Sequence, residues 1–194
     1  MPYTSAYFDR WYRSEHRVHS PSDRMRTVRM VVGVADYMIG RPIRSVLDIG
    51  AGEGQWRGAL QRVRDAIRYS GVDPSEYAVE RYGRRRNIRL GTLGNLPPEV
   101  TGRSYDLVVC SGVLNYLPNA ELRAGLGEVS QLARGVAFLE LFTDRDDVQG
   151  DTRGRRRGTF YRSLLRDLGF RQCGPHAYIG RQYEGEMVEM EVMR

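Results

Sequence analysis

The sequence predicts an α/β fold in which helices cover both faces of a doubly wound, mostly parallel sheet. Two observations predict it. Short apolar segments alternate with segments whose apolar residues recur at helical spacing, which is the order expected of a parallel sheet with crossover helices. The first apolar segment, Val46 to Ile49, runs into glycines at positions 50, 52 and 54, and such a turn lets bare backbone approach a nucleoside-like ligand.

Residues 1–40 are predicted to form a helical cap before the first strand. Its main helix covers Ser22 to Ile39, with Ser22 as the expected N-cap and Gly40 as the stop. Upstream, aromatic residues recur at helical spacing and either pack on the core or contact a ligand; they are Tyr3, Tyr7, Phe8, Trp11 and Tyr12.

The remaining elements follow the same alternation. The strand at Tyr105 to Cys110 is nearly all apolar, so we expect it at the centre of the sheet. In chain order, the predicted elements are a helix at Gln55 to Ile67, strands at Tyr69 to Val72, Ile88 to Leu90 and Tyr105 to Cys110, a helix at Leu122 to Leu132, and a strand at Val136 to Phe142.

The C-terminal part of the chain breaks this rhythm. A helix at Phe160 to Leu168 precedes two predicted strands, Phe170 to Ile179 and Met187 to Met193, which are joined by a turn around Glu184 and Gly185. Strands with so short a connection must be antiparallel.

Composition limits the class of protein. The 194 residues fit a single domain, and no stretch has the apolar character of a signal peptide or a membrane span, so we expect a soluble, cytoplasmic protein. The net charge of +6 comes entirely from arginine, which makes it a weak indication of a nucleic-acid partner. Cys110 and Cys173 lack histidines at ligand spacing, so we expect reduced cysteines and no metal site.

The glycine-rich turn separates two kinds of cofactor. A dinucleotide fingerprint would place its third glycine at position 55, but Gln55 stands there and the glycine is Gly54. The pattern Asp-x-Gly-x-Gly-x-Gly resembles motif I of the class I S-adenosylmethionine-dependent methyltransferases. The resemblance extends over roughly Arg44 to Phe142. It implies a seven-stranded sheet with one antiparallel strand near the C-terminus, a cofactor-binding core at 44–142, and a substrate-side loop, helix and strand pair at 143–194.

The resemblance also implies which residues bind S-adenosylmethionine. Asp73 ends the second strand, where a carboxylate can bind both ribose hydroxyls; with Pro74 and Glu76 it also makes a good helix cap, and both interpretations can hold together. The methionine part of the cofactor is expected against the motif I residues Asp48, Gly50, Ala51, Gly52 and Gly54.

The adenine contacts depart from the family pattern. Thr92 stands where the family usually has an acidic residue that reaches the adenine amino group. Adenine contacts are therefore expected from the backbone near Thr92 and Leu93, with apolar packing from Leu93 and the Pro74 region. A plain loop is an equal alternative.

The end of the central strand resembles the fourth family motif. Cys110, Ser111 and Gly112 are expected to line the cofactor, with Asn115 and Tyr116 near the reacting centre. Methyltransferases that act on base amino groups typically carry Asn/Asp-Pro-Pro-Tyr/Phe here, and this chain has Ser-Gly-Val-Leu, which counts against that branch.

No residue stands out as the general base. The candidates are His16, His19, Tyr116 and Glu140, the last because it ends the fifth strand. The polar stretch from Asp144 to Gly158 is expected to lie over the substrate side, and its arginines either bind an anionic substrate or are merely solvated.

The sequence thus predicts methyl transfer from S-adenosylmethionine to oxygen or nitrogen of a small molecule. One alternative is an RNA or protein methyltransferase that uses the arginines at 84–86 and 153–157, although nucleic acid is the less favoured partner. The other is a non-catalytic module that only binds S-adenosylmethionine, suggested by Thr92.

Overall fold

The computed structural model describes residues 3–14, 20–146 and 156–188, and within these ranges one seven-stranded sheet organises the chain. The sheet confirms the predicted fold class. Its strands are β1 (Ser45–Ile49), β2 (Arg68–Asp73), β3 (Ile88–Leu90), β4 (Tyr105–Cys110), β5 (Ala133–Leu139), β6 (Phe170–Gly174) and β7 (Ala177–Gly180). The helices are α1 (Ser5–Phe8), α2 (Pro21–Met38), α3 (Gln55–Val63), α4 (Glu76–Arg86), α5 (Pro98–Thr101), α6 (Asn119–Leu132) and α7 (Gly158–Asp167).

The strand order β3-β2-β1-β4-β5-β7-β6 fixes where a ligand can bind. β1 pairs in parallel with β2 on one side and with β4 on the other. The chain adds β2 and β3 on one side of β1 and then returns to add β4 on the other side, so the strand order switches between β1 and β4. In open α/β sheets the crevice at the carboxyl ends of the strands at such a point is the ligand site.

Each central strand contributes side chains to both hydrophobic cores. In β4, Leu107 and Val109 face the core shared with α2 and α3, whereas Val108 and Cys110 face the core shared with α6 and α7. The alternation follows from the two-residue period of a strand, and burial on both faces explains why β4 reads as a continuous apolar run.

The same alternation orients the acidic residue of β1. Leu47 and Ile49 belong to the core shared with α6 and α7. Asp48 stands between them in the strand, so its side chain points to the opposite face of the sheet, toward α2.

Serine side chains begin two of the helices. The Ser20 hydroxyl accepts a hydrogen bond from the Asp23 N–H at 3.1 Å, so the predicted cap at Ser22 is wrong by two residues. Pro21 occupies the first helical position, where its missing N–H costs nothing. At α4 the cap is Ser75, whose hydroxyl accepts from the Ala78 N–H at 3.1 Å, and Asp73 is therefore not the helix cap.

The predicted C-terminal strand pair is wrong. The stretch 170–179 is not one strand, because it reverses at Pro175 and His176 to form β6 and β7. Only β7 runs antiparallel to its neighbours, β5 and β6, which matches the single reversed strand implied by the resemblance. Residues 181–186 form a 3-10 helix in place of the expected turn, and of the predicted strand 187–193, positions 189–193 lie outside the described residues.

Other boundaries shift by a few residues. α3 ends at Val63 and not at Ile67, since Arg64 is extended. β5 covers Ala133–Leu139 and not 136–142, so Glu140 comes directly after the strand.

Candidate active site

The turn after β1 is held by hydrogen bonds to β2. The N–H groups of Gly50 and Ala51 both donate to the Val72 carbonyl, at 2.8 and 3.0 Å. The Gly52 N–H donates to Asp73 Oδ2 at 2.6 Å, and the Gly54 N–H donates to the Ala51 carbonyl at 2.7 Å. These four N–H groups are therefore occupied by protein acceptors, which fixes the shape of the turn.

Two of its glycines are required by their surroundings. Gly50 has φ +78, and a Cβ added there would lie 2.1 Å from Val113 Cγ2. Gly52 has φ +52, and an added Cβ would lie 2.6 Å from the Tyr12 hydroxyl. Both positive φ angles are costly for residues with a side chain. The turn thus needs glycine for its backbone conformation and for the close approach of neighbouring side chains.

Asp48 lies beneath this turn and is almost completely buried, with 1% of its surface exposed. Its Oδ2 accepts a hydrogen bond from the Tyr69 hydroxyl at 2.6 Å. Burial raises the pKa of Asp48 to about 7 because the charged form is desolvated, and the Tyr69 hydrogen bond partly opposes that rise. A cation that binds beside Asp48 would favour its ionised form and lower its pKa.

Asp73 is the second acidic group of the site and is 5% exposed. Its Oδ1 accepts from the Ser75 N–H at 2.9 Å, while Oδ2 accepts from Gly52. Burial raises the pKa of Asp73, and the two backbone hydrogen bonds oppose the rise. Each carboxylate oxygen has further acceptor capacity, so ribose hydroxyls can still be bound. Pro74 beside it is exposed.

The segment expected to contact adenine forms a tight turn. Thr92 and Asn95 exchange backbone hydrogen bonds at 3.2 and 3.0 Å. The Leu93 side chain is buried and packs against α6, where a Cβ on Gly125 would lie 2.3 Å from Leu93 Cγ. Leu93 therefore contributes its side chain to the core and not to an apolar contact with adenine, and the backbone N–H and carbonyl of Thr92 are already hydrogen-bonded to Asn95.

The carboxyl ends of β4 and β5 bring two polar side chains together. The Ser111 hydroxyl donates to Glu140 Oε2 at 2.8 Å, and the Glu140 N–H donates to the Cys110 carbonyl at 3.0 Å. Next to them, Gly112 has φ +68 and open space where a Cβ would stand. The Cys110 side chain is fully buried in the core shared with α6 and α7, and this burial raises its thiol pKa.

The other candidate bases are placed differently. Tyr116 ends a 3-10 turn, Leu114–Tyr116, and its side chain lies near that of Tyr7. Burial is the main cause that raises the pKa of Tyr7, and the nearby Tyr116 adds to it. His16 and His19 lie outside the described residues.

An N-terminal segment that includes α1 and a π-helical turn, Asp9–Arg13, covers the crevice from outside. The Phe8 ring packs 5.6 Å from that of Tyr77, and the Tyr3 carbonyl accepts a hydrogen bond from the Ser75 hydroxyl at 2.6 Å. Farther along, the Arg13 guanidinium pairs with Glu53 in the glycine turn. The aromatic stripe that the sequence shows is the signal for this cover, but the contact of Tyr12 with Gly52 was not predicted.

Arg156 is neither solvated nor positioned to bind a substrate. It is 8% exposed and donates to Asn119 Oδ1 at 2.8 Å and to the carbonyls of Leu114 and Leu117. The guanidinium therefore holds the segment that follows β4. Arg153 and Arg155 lie outside the described residues.

A methyltransferase-domain family model matches residues 46–135, which contain the glycine turn, Asp73 and the end of β4. Residues 46–135 are therefore a methyltransferase domain, with the fold of the class I S-adenosylmethionine-dependent enzymes. The predicted family and enzyme class are confirmed, and S-adenosylmethionine is the methyl donor that defines this class.

Solved structures share the fold of this methyltransferase domain. Magnesium protoporphyrin IX methyltransferase from Synechocystis PCC 6803, solved with bound SAH, has a TM-score of 0.64 and 22% identity, with 92% of this chain and 96% of that chain covered. A SAM-dependent methyltransferase from Archaeoglobus fulgidus has a TM-score of 0.61 and 18% identity, covering 86% and 74%. Human N-acetylserotonin methyltransferase, in complex with SAM, has a TM-score of 0.53 and 16% identity, covering 92% and 58%. No curated sequence matches the chain.

Two kinds of feature are absent from the described ranges. No helix there combines the length and apolar character needed to cross a bilayer. Nor do three or more His, Cys, Asp or Glu side chains gather there into a possible metal site. Cys110 and Cys173 are free cysteines, and Cys173 is only half-buried.

Proposed function

We propose that the domain transfers a methyl group from S-adenosylmethionine to an oxygen or nitrogen atom of a small-molecule acceptor. The observation that carries this proposal is the covered crevice at the switch point. The glycine turn lies at this switch point, and the N-terminal segment covers it through Tyr12 against Gly52 and Arg13 paired with Glu53. Such a site admits a small molecule more readily than a folded macromolecule.

The residues of the crevice fit the methyl donor. Gly50 and Gly52 bring the backbone of the turn close to Val113 and Tyr12, and Gly112 has open space where a Cβ would stand. Asp48 would attract the tail ammonium, and Asp73 would accept hydrogen bonds from ribose hydroxyls. The bound donor supplies an electrophilic methyl group on a sulfonium whose thioether product leaves without proton transfer, so the protein needs to align the partners and exclude water.

We assign Glu140 as the general base that removes the proton from the acceptor. Its carboxylate lies at the carboxyl end of β5 and is oriented by the Ser111 hydroxyl at 2.8 Å. A carboxylate fixed there can bind an ammonium or hydroxyl acceptor and take its proton. Tyr116, which meets Tyr7 of the covering segment, is the other described candidate. His16 and His19 remain predictions from the sequence.

Two of the similar structures are named for small acceptors, magnesium protoporphyrin IX and N-acetylserotonin. These names support a small-molecule acceptor here without identifying it.

Two of the arginines that the RNA or protein methyltransferase alternative would use are engaged in structural contacts. Arg86 donates to the Glu53 carbonyl and stacks 4.3 Å from the centre of the Tyr82 ring. Arg156 is buried among carbonyls. An RNA site would require arginines that are free to meet phosphates, and only Arg84, Arg85 and Arg157 of the described members are exposed.

Transfer of a radiolabelled methyl group tests the proposal. The protein is incubated with labelled S-adenosylmethionine and separate panels of small alcohols, phenols, carboxylic acids and amines, and in parallel with total RNA and with protein extract. Label in a small product, lost in Glu140→Gln but not in the exposed control Glu99→Gln, supports the proposal. Label only in RNA or protein contradicts it.

A further inference from the structure

The tail of the methyl donor carries a carboxylate, and four of the five N–H groups at positions 50–54 of the glycine turn are already occupied. The N–H groups at 50, 51, 52 and 54 already donate to Val72, Asp73 and Ala51. The side chains beneath and beside the turn are the acids Asp48 and Asp73. Occupied N–H groups and two nearby acids favour a cation or a hydroxyl from another part of the chain as the partner of a carboxylate that enters this site.

Arg24 is a cation on the same side of the sheet as Asp48. It lies in the first turn of α2, the helix that packs on the same side of the sheet as Asp48. It is half-buried and interacts electrostatically with Tyr12 and Asp48, and burial lowers the pKa of its guanidinium. No carboxylate among the described residues forms an ion pair with it, in contrast to Arg26, which pairs with Asp23 on the same helix. A partly desolvated guanidinium without a direct ion pair gains stability when a ligand brings a carboxylate to it.

Tyr12 completes the arrangement. Its hydroxyl lies 2.6 Å from the position of a Gly52 Cβ, against the face of the turn that a ligand would touch. The backbone around it is a π-helical turn, Asp9–Arg13, a rare conformation that often occurs at functional sites. Burial raises the pKa of Tyr12, followed by the charges of Asp73 and Asp48, so the hydroxyl stays protonated and can donate a hydrogen bond.

We propose that Arg24 and Tyr12 bind the α-carboxylate of the methyl donor. The inference rests on the proposed function and adds two binding residues to it. The tail is then held by charge at both ends, with its ammonium toward Asp48 and its carboxylate toward Arg24. This arrangement selects a zwitterionic amino-acid tail over a neutral or shortened one.

Two ligands separate this inference from the proposed function. S-adenosylhomocysteine carries the complete tail, whereas 5′-methylthioadenosine keeps the adenosine and sulfur but lacks the amino-acid group. Binding of each is measured by calorimetry to the wild type, to Arg24→Met and to Arg29→Met, which changes an exposed arginine of the same helix. Loss of a charge-assisted hydrogen bond predicts affinity for S-adenosylhomocysteine about tenfold to a hundredfold lower in Arg24→Met. Affinity for 5′-methylthioadenosine should be unchanged, and Arg29→Met should bind both like the wild type.

The outcomes are distinct. Equal affinity of Arg24→Met and the wild type for S-adenosylhomocysteine overturns the inference, and so does an equal loss for both ligands. A wild type that binds neither ligand refutes the proposed function instead. If Arg24→Met does not fold, Tyr12→Phe carries the test because it removes one hydroxyl: we expect affinity for S-adenosylhomocysteine about fivefold lower, and unchanged affinity for both ligands overturns the role of Tyr12.

Discussion

Replacing Asp48 by asparagine should change how stability depends on pH. Asparagine is uncharged at every pH and its amide oxygen can still accept the Tyr69 hydroxyl, which lies 2.6 Å from Asp48 Oδ2. The variant therefore imitates the protonated carboxyl group and removes its ability to ionise. Asp65→Asn, at an exposed position, is the matched control.

The magnitude follows from the pKa of Asp48, which burial raises from 3.8 to about 7. Between these values the unfolded chain has lost the proton and the folded protein keeps it, so the folded state binds more protons and stability falls as the pH rises. The full cost of an ionisable Asp48 is about 4 kcal/mol above pH 7, at 1.36 kcal/mol for each pKa unit. About 2.5 kcal/mol of it develops between pH 5 and pH 8.

Urea denaturation at several pH values, followed by the fluorescence of the buried Trp56, measures the effect. The free energy of unfolding of Asp48→Asn minus that of the wild type should grow by about 2.5 kcal/mol from pH 5 to pH 8. The same difference for Asp65→Asn should stay constant. A difference for Asp48→Asn that is independent of pH would show that this carboxyl group ionises in the folded protein as it does in solution, and the argument from burial would be refuted.

Four further changes have defined outcomes. Arg156→Met should lower the free energy of unfolding by about 2–3 kcal/mol, since it leaves buried carbonyls without donors; in the same urea assay the exposed Arg157→Met should change it by less than about 0.5 kcal/mol, and equal effects would contradict the burial of Arg156. Ser75→Ala removes the cap of α4 and should cost about 1 kcal/mol by thermal unfolding, whereas no loss would argue against the cap. Leu93→Ala should cost about 2–5 kcal/mol, because Leu93 fills space against Gly125, and a cost under about 1 kcal/mol would place its side chain outside the core. Once an acceptor is known, Glu140→Gln should lower kcat while KM for the methyl donor stays unchanged, and an unaltered kcat would exclude Glu140 as the proton acceptor.

Continuous apolar runs made several strands predictable. The bounds of Tyr105–Cys110 agree with the structure because burial on both faces leaves mostly apolar residues in that segment. The bounds of Ile88–Leu90 also agree, although this is an edge strand in which only Ile88 is buried. The hairpin at Pro175 was missed although Gly174 and Pro175 form a turn dipeptide, because the apolar residues on either side read as one long strand.

The placement of several candidate site residues was predictable where it depends on local sequence. Asp48, Gly50, Gly52 and Asp73 meet at one edge of the sheet because parallel strands end together there. The position of Tyr12 depends on packing between segments some forty residues apart, which no local pattern encodes. Three occupied N–H groups of the turn, those of Gly50, Ala51 and Gly52, could not be predicted from the glycines either, since their acceptors Val72 and Asp73 lie in another strand.

Titration with S-adenosylhomocysteine tests the central claim most directly. The wild type should bind one equivalent, and Asp73→Ala should bind at least about tenfold more weakly because ribose hydroxyls lose their acceptor. Gly52→Val should not bind, because valine is strained at φ +52 and its side chain would collide with Tyr12. Gly58→Ala, where an added Cβ meets nothing within 4 Å, should bind like the wild type. A folded wild-type protein that gives no binding signal, or a Gly52→Val variant that binds as tightly as the wild type, would contradict the assignment of the glycine turn to the methyl donor.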